Sequence, residues 1–487
     1  MGLVRLGALL AARGRECYAA AVGSERDSGA MKVTYIADST FLFEHRGVRL
    51  LTDPWIGSTI YGGAWVQYPP PGLKASEIGR LDYIFISHIH EDHCDPATIA
   101  QLDRNATVLL MDRTPDFVEG FLKRHGFGFR AIRKIPTFTQ MPIGEGLVAE
   151  TVEADPEHKL NWMIDSALLL HADGRSLYFA NDNPPYPRCV ERLKELDLAL
   201  ALLPASGGSG YPACFASLTE AEQAAERERI VAMYFDVFAD AVADTLPERF
   251  MACAGNHVLS GRHAKLNRMM TFLASPAGAY RHTHTRLPDA ARATTLPLDL
   301  EEGQSWEMPA KREVRADAAT VWAEAMEDRG RTEARATFIA GPAAAQPYAH
   351  DAITVPPDTD WAALFRTGAE AMLERVRASS IPVASRIAVR LPGDHERWGV
   401  ADAMAGSVTT LEGRKPAEPY LAIETDAPLL WQLLTGKFSW NIADAAAFLT
   451  YHRVPNVYDQ HAVIALNYLR QPPRGPAAPD PGLGIQP

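Results

Sequence analysis

Cysteine is scarce in this chain, five residues in 487, and no two of them stand as Cys-x-x-Cys or Cys-x-His. A zinc ribbon or an iron–sulfur cluster therefore has no ligand pairs to build on. Cys17, Cys94, Cys189, Cys214 and Cys253 read instead as free thiols of a reducing cytoplasm. Long apolar runs are missing too: none approaches the roughly 18 to 20 residues of a membrane helix. Positive charge is in deficit, with 48 Lys and Arg against 60 Asp and Glu, a formal net charge of −12. Spread along the chain, that charge disfavours nucleic acid as a partner.

What is present suits a soluble globular protein of two or three domains, 47% hydrophobic and 22% charged. Residues 1–30 loosely imitate a signal peptide, with Arg5 ahead of the apolar stretch Leu6 to Ala12, but Arg13 and Arg15 follow closely. They are expected to be a disordered extension, or to precede a natural start at Met31.

Short β-branched runs then alternate with turns and helices. Strands are expected at Lys32 to Ala37, Thr40 to Glu44, Val48 to Thr52, Tyr83 to Ser87, Thr107 to Met111, Ala167 to His171, Ser176 to Ala180 and Leu198 to Leu203. Helices are expected at Pro96 to Leu102, Asp116 to His125 and Glu220 to Thr245, the last opened by a Thr219/Glu222 capping box. This is an α/β pattern over residues 31–275. An α+β region follows over 276–470, and a Pro- and Gly-rich tail over 471–487 is expected to be disordered.

The chemistry concentrates in His88-Ile89-His90-Glu91-Asp92-His93. His88 and His90, two apart after an apolar strand, leave extended backbone on the same side. Asp92 and His93 follow as the chain turns toward the helix at Pro96. Four nitrogen and oxygen donors thus converge at the carboxyl end of a strand, where layered α/β folds place their sites. Neutral imidazole suits zinc or iron, and carboxylate is a harder ligand that tolerates manganese as well. The bland alternative is a polar turn that happens to be rich in histidine.

This run resembles the H-x-H-x-D-H signature of the metallo-β-lactamase superfamily. The resemblance implies an αββα sandwich and two divalent metal ions. By the same resemblance, Asp53 in Leu50-Leu51-Thr52-Asp53-Pro54-Trp55 orients ligands, His158 is the third histidine of the first metal, and Asp182 bridges two metals. His257, preferred over His263, is the final strand-end histidine. Asp53 before Pro54 also reads as a turn residue, and Asp182 between asparagines as a loop cap. The catalytic carboxylates implied are Asp92 and Asp53.

Within the superfamily the chain resembles the metallo-β-lactamase part of the CMP-sialic acid hydroxylases. The likeness lies in Leu51 to Trp55, Ile86 to His93, Ala205 to Pro212, Arg249 to Gly255, Leu429-Leu430-Trp431 and Arg453 to Tyr458. Those hydroxylases carry a Rieske domain whose Cys-x-His and Cys-x-x-His pairs have no counterpart here, so no iron–sulfur cluster is expected in this chain.

The loop Ala205 to Pro212 carries three glycines at the end of a strand, which lets backbone N–H groups approach a ligand. Ser206, Gly207, Gly208, Tyr211 and His263 are accordingly candidate substrate contacts. A flexible connection is the plain alternative, and Tyr61, Trp65 and Tyr68 either wall the pocket or cover the core. Two functions fit these residues. One is a dinuclear hydrolase of a small-molecule ester, lactone, amide or phosphodiester. The other is a di-iron oxygenase of a polar, sugar- or nucleotide-linked substrate, fed by a separate ferredoxin or reductase. A homodimer is compatible with either.

Overall fold

The computed structural model describes residues 30–157, 164–272 and 275–472. Its first strands are β1 (Lys32–Ala37), β2 (Thr40–His45), β3 (Val48–Thr52), β4 (Trp65–Gln67), β5 (Tyr83–Phe85), β6 (Thr107–Met111) and β7 (Ala131–Ile135). Then come β8 (Gln140–Gly144), β9 (Leu147–Glu153), β10 (Ser166–Ala172), β11 (Arg175–Phe179), β12 (Leu198–Pro204), β13 (Arg249–Cys253), β14 (His257–Leu259), β15 (Leu296–Pro297) and β16 (Ser305–Glu307).

Two seven-stranded sheets result, ordered β16-β1-β2-β3-β5-β6-β7 and β15-β13-β12-β11-β10-β9-β8. Their inner faces share one apolar core. Phe41 and Phe85 of the first sheet meet Phe179 of the second, at 5.9 and 6.4 Å between ring centroids. Each fully buried Phe or Leu side chain of this kind contributes about 1.5–3 kcal/mol. Outside the second sheet the helices Pro187–Lys194 and Glu220–Thr245 bury Leu193, Phe238 and Val242. Outside the first, Ile99, Val118 and Leu122 do the same from Pro96–Ile99 and Phe117–Arg124. The layers are therefore αββα.

A third sheet holds β17 (Arg386–Arg390), β18 (Arg397–Asp402), β19 (Ser407–Glu412), β20 (Tyr420–Glu424) and β21 (Thr450–Val454). Its order is β19-β18-β17-β20-β21, with β17 and β20 parallel and the other pairs antiparallel. The helix Trp361–Ala378 and the helices Ala427–Leu434 and Gln460–Leu466 pack against it through Phe365, Leu430 and Ala462. The seam with the sandwich is a bridge between Phe215 and Tyr451, with Ala216 N–H donating to Tyr451 O at 2.8 Å and Tyr451 N–H to Cys214 O at 2.8 Å.

Several elements depart from the sequence reading. The strand expected to reach Ser87 stops at Phe85, because Ser87 turns to bond Asp53. Strands β7, β8 and β9 carried no apolar alternation: Arg133 and Lys134 are exposed, and Pro142 interrupts β8. Beyond residue 275 a short helix spans Ala318–Ala325, and the last helix begins at Gln460 because Asp459 caps it. Strands β15 and β16 lie beyond residue 275, yet they are edges of the two sandwich sheets. Cys94, Cys189, Cys214 and Cys253 are buried free thiols. Among the described residues no helix is long and apolar enough to cross a membrane.

Candidate metal centre

Strand ends of both sheets meet above the core, and two carboxylates there take up left-handed backbone. Asp38 follows β1 at φ +50° and Asp53 follows β3 at φ +37°, conformations that Asp tolerates better than bulkier residues. Fully buried Asp53 accepts from Ser87 N–H and Ser87 Oγ, both at 2.7 Å, and its Oδ2 lies 2.8 Å from His93 Nδ1. It thereby fixes the turn that carries the histidine run and the ring of His93.

The run folds into a donor cluster. His88 Nε2 lies 2.9 Å from His90 Nδ1, while His88 Nδ1 lies 3.2 Å from Asp165 Oδ1. His93 Nε2 lies 3.3 Å from both Asp92 Oδ2 and Asp182 Oδ2. Donor atoms of His88, His93 and Asp182 all fall within 4.8 Å of one another. Asp182 is the accessible member, its side chain 39% exposed, whereas His88 and His93 are buried.

His257, the first residue of β14, is buried against the face of Trp65, with ring centroids 4.1 Å apart. Its Nδ1 lies 2.8 Å from Asp38 Oδ2, and its Nε2 has no hydrogen-bond partner among the described residues. An orphaned imidazole nitrogen whose opposite nitrogen is held by a carboxylate is the arrangement that metal-ligating histidines adopt. The alternative final ligand, His263, sits in the turn of helix Gly261–Arg268, between Tyr348 and Phe448 at 5.5 and 5.9 Å. His158 lies outside the described residues.

Electrostatics follow this crowding. Burial, reinforced by His88, pushes His90 down to about 4, so at neutral pH its ring is uncharged with a lone pair available to a cation. Burial opposes charge on His93 as well, yet Asp182, Asp92 and Asp53 hold it well above the usual imidazole range. Asp92 is correspondingly held below the ordinary carboxylate range: burial works against its charge, and His93 outweighs burial. The carboxylates around His93 thus favour positive charge at the centre of the site.

Other contacts carried no sequence signal. Tyr61 donates its hydroxyl to Asp92 Oδ1 at 2.7 Å, and its N–H donates to Glu91. Burial pushes Glu91 up to about 7. Asp38, Asp165 and Tyr234 were likewise unassigned; the acid directly after β1 was the one available hint of Asp38.

The glycine loop reaches the centre at one end only. A Cβ on Gly207 would stand 2.1 Å from Tyr234 Oη, and one on Gly208 would stand 3.0 Å from the Trp65 ring that covers His257. Ser206 donates to Ala254 O at 3.3 Å. Tyr211 instead faces a separate cavity at the seam. Trp65 and Tyr61 wall the site, whereas Tyr68 packs on Phe338 at 5.0 Å.

Sandwich and donor cluster together define a metallo-β-lactamase fold with a cluster of side chains suited to holding metal. Residues 32–177 match the family model described as a beta-lactamase superfamily domain. A Mycobacterium tuberculosis protein named as a Rieske 2Fe-2S iron-sulfur protein is 28% identical over 188 residues, 37% of this chain and 36% of that protein. Cytidine monophosphate-N-acetylneuraminic acid hydroxylase of Mus musculus is 26% identical over 244 residues, 48% of this chain and 40% of that protein. The chain thus matches well under half the length of these curated relatives. Among solved structures, the metallo hydrolase Igni18 of Ignicoccus hospitalis is 17% identical with a TM-score of 0.40, covering 57% of this chain and 99% of that one.

Proposed function

We propose that the chain is a dinuclear metallohydrolase acting on a polar small-molecule ester, lactone, amide or phosphodiester. The observation that carries this reading is His257, whose buried Nε2 is unpartnered while Asp38 fixes its Nδ1. The donor set fits divalent zinc or iron, with manganese also accommodated. His88, His90, Asp92, His93, Asp182 and His257, with His158, would hold the ions. When bound, such ions polarise the substrate and lower the pKa of water toward neutrality.

The protein's own groups do the rest. Asp53 and Asp38 orient His93 and His257 through Nδ1, leaving each Nε2 directed inward. Tyr61 holds the Asp92 carboxylate. The Tyr234 phenol is raised by burial and by Asp182, so it is protonated at neutral pH and able to donate to negative charge developing on a substrate oxygen.

A second reading, a di-iron oxygenase supplied with electrons by a separate ferredoxin or reductase, is favoured by the naming of the curated relatives as a hydroxylase and a Rieske protein. Metal analysis of protein purified without added metal separates the two. Stoichiometric zinc with ester or phosphodiester turnover supports the hydrolase; two irons with oxygen-dependent hydroxylation and no hydrolytic turnover would sink it.

A further inference from the structure

A cavity of about 540 Å³ opens at the seam between sandwich and third sheet, at the far end of the glycine loop from the metal centre. Its aromatic wall is layered. Phe215 stacks on Tyr451 with centroids 4.9 Å apart and planes at 24°, and Tyr211 meets Phe215 edge-on at 4.9 Å. At the rim stands Tyr458, 61% exposed, an unusual setting for a large ring that also lines a cavity.

The charges sort themselves by partner. Glu226 is paired with Arg229 at 2.8 Å and accepts from Tyr211 at 2.9 Å. Asp459 accepts four backbone N–H groups, from Ala384, Ser385, His461 and Ala462, at 3.0–3.2 Å. Half-buried Asp444 accepts from Tyr451 at 2.7 Å, and desolvation pushes its pKa upward. Arg453 is what remains. Its guanidinium lies 4.9 Å above the Tyr211 ring and 4.6 Å above Phe215, and its hydrogen bonds go to the neutral Asn456 at 3.0 and 2.6 Å. Half-buried and in no ion pair among the described residues, with Glu226 acting on it only from beyond contact, Arg453 is placed to take a carboxylate or phosphate by its bidentate fork.

We propose that this cavity binds a small anion carrying a planar ring, an aromatic carboxylate or a nucleoside monophosphate, with the oxyanion on Arg453 and the ring against Tyr458. A cation is disfavoured because Arg453 already occupies the ring faces. The site is independent of the metal centre, so it stands whichever chemistry that centre performs.

Calorimetry on the full chain as purified tests it, with benzoate and adenosine monophosphate as probes and inorganic phosphate, phenol and benzylamine as controls. At least one ring-bearing anion should bind about tenfold or more tighter than every control, and Arg453→Met should weaken it by about tenfold. Binding of benzoate alone identifies a carboxylate ligand, and binding of adenosine monophosphate alone a phosphorylated one. Tyr458→Ala, at an exposed position that the fold does not depend on, should weaken the same probe severalfold. The proposal fails if neither anion exceeds the controls, if benzylamine binds tighter, or if Arg453→Met keeps full affinity. Should Arg453→Met not fold by circular dichroism, unchanged binding by Tyr458→Ala overturns it.

Discussion

Asp38 Oδ2 stands 2.8 Å from His257 Nδ1, and the pair is joined across 219 residues of sequence. The same carboxylate accepts from Gly255 N–H at 2.8 Å, so it anchors the turn ahead of β14 as well as the ring. Asp38→Asn keeps the turn contact while losing the negative charge that sets the imidazole tautomer. Metal affinity, measured by competition with a chromogenic chelator, should fall about 10- to 100-fold with little change in melting temperature. Unchanged affinity would show that His257 is not a ligand.

Asp182 is expected to behave differently from Asp53. It is accessible and bonds mainly to His93, so Asp182→Ala should lower metal content and abolish turnover while the chain still folds. Asp53→Ala removes acceptors from Ser87 and His93 inside the core, and leaving such groups unpaired costs about 1–3 kcal/mol each. Denaturant melts of the two variants, set beside their metal contents, check the contrast.

Gly207 is held small by Tyr234. Gly207→Ala forces a methyl to within 2.1 Å of the phenol oxygen, and overpacking of this kind costs about 1–3 kcal/mol. Tyr234→Ala in the same chain should relieve most of that cost. A double-mutant cycle that comes out additive would show that the two do not meet.

Glu150 provides a pH test away from the metal centre. Its carboxylate is buried, and although burial opposes its charge, His171 at 3.1 Å and Arg192 at 2.8 Å bring it down to about 2. Because the folded-state pKa is depressed, the stabilisation is full above the unfolded-state value near ~4.3 and is lost as pH falls toward about 2. Glu150→Gln should therefore flatten the stability profile across that window, by on the order of 3 kcal/mol. Urea melts between pH 2 and 6 would reveal a profile that had not changed.

Legibility in the sequence followed the physics of each element. The run His88 to His93 could be read because local spacing alone brings its donors together, and Glu220–Thr245 because its capping box marks the start. Asp38, Asp165 and Tyr234 could not, since each reaches the site only through packing of distant strands and helices. Tyr211 shows the opposite error. Its loop was read as offering substrate contacts, whereas the bond to Glu226 holds the Tyr211 ring in the seam cavity, away from the histidines. Strands β7 to β9 escaped notice because exposed charges on β7 masked the period that marks a half-buried strand.

Strand β16 pairs with β1 through Lys32–Glu307, Val33–Trp306 and Thr34–Ser305. Without it, the outermost strand of the first sheet would present a row of unsatisfied N–H and C=O groups, the kind of template along which chains add to one another. A sandwich ended short of residue 305 would therefore carry a sticky margin, and its failure in solution would be self-association through β1 before any loss of the fold.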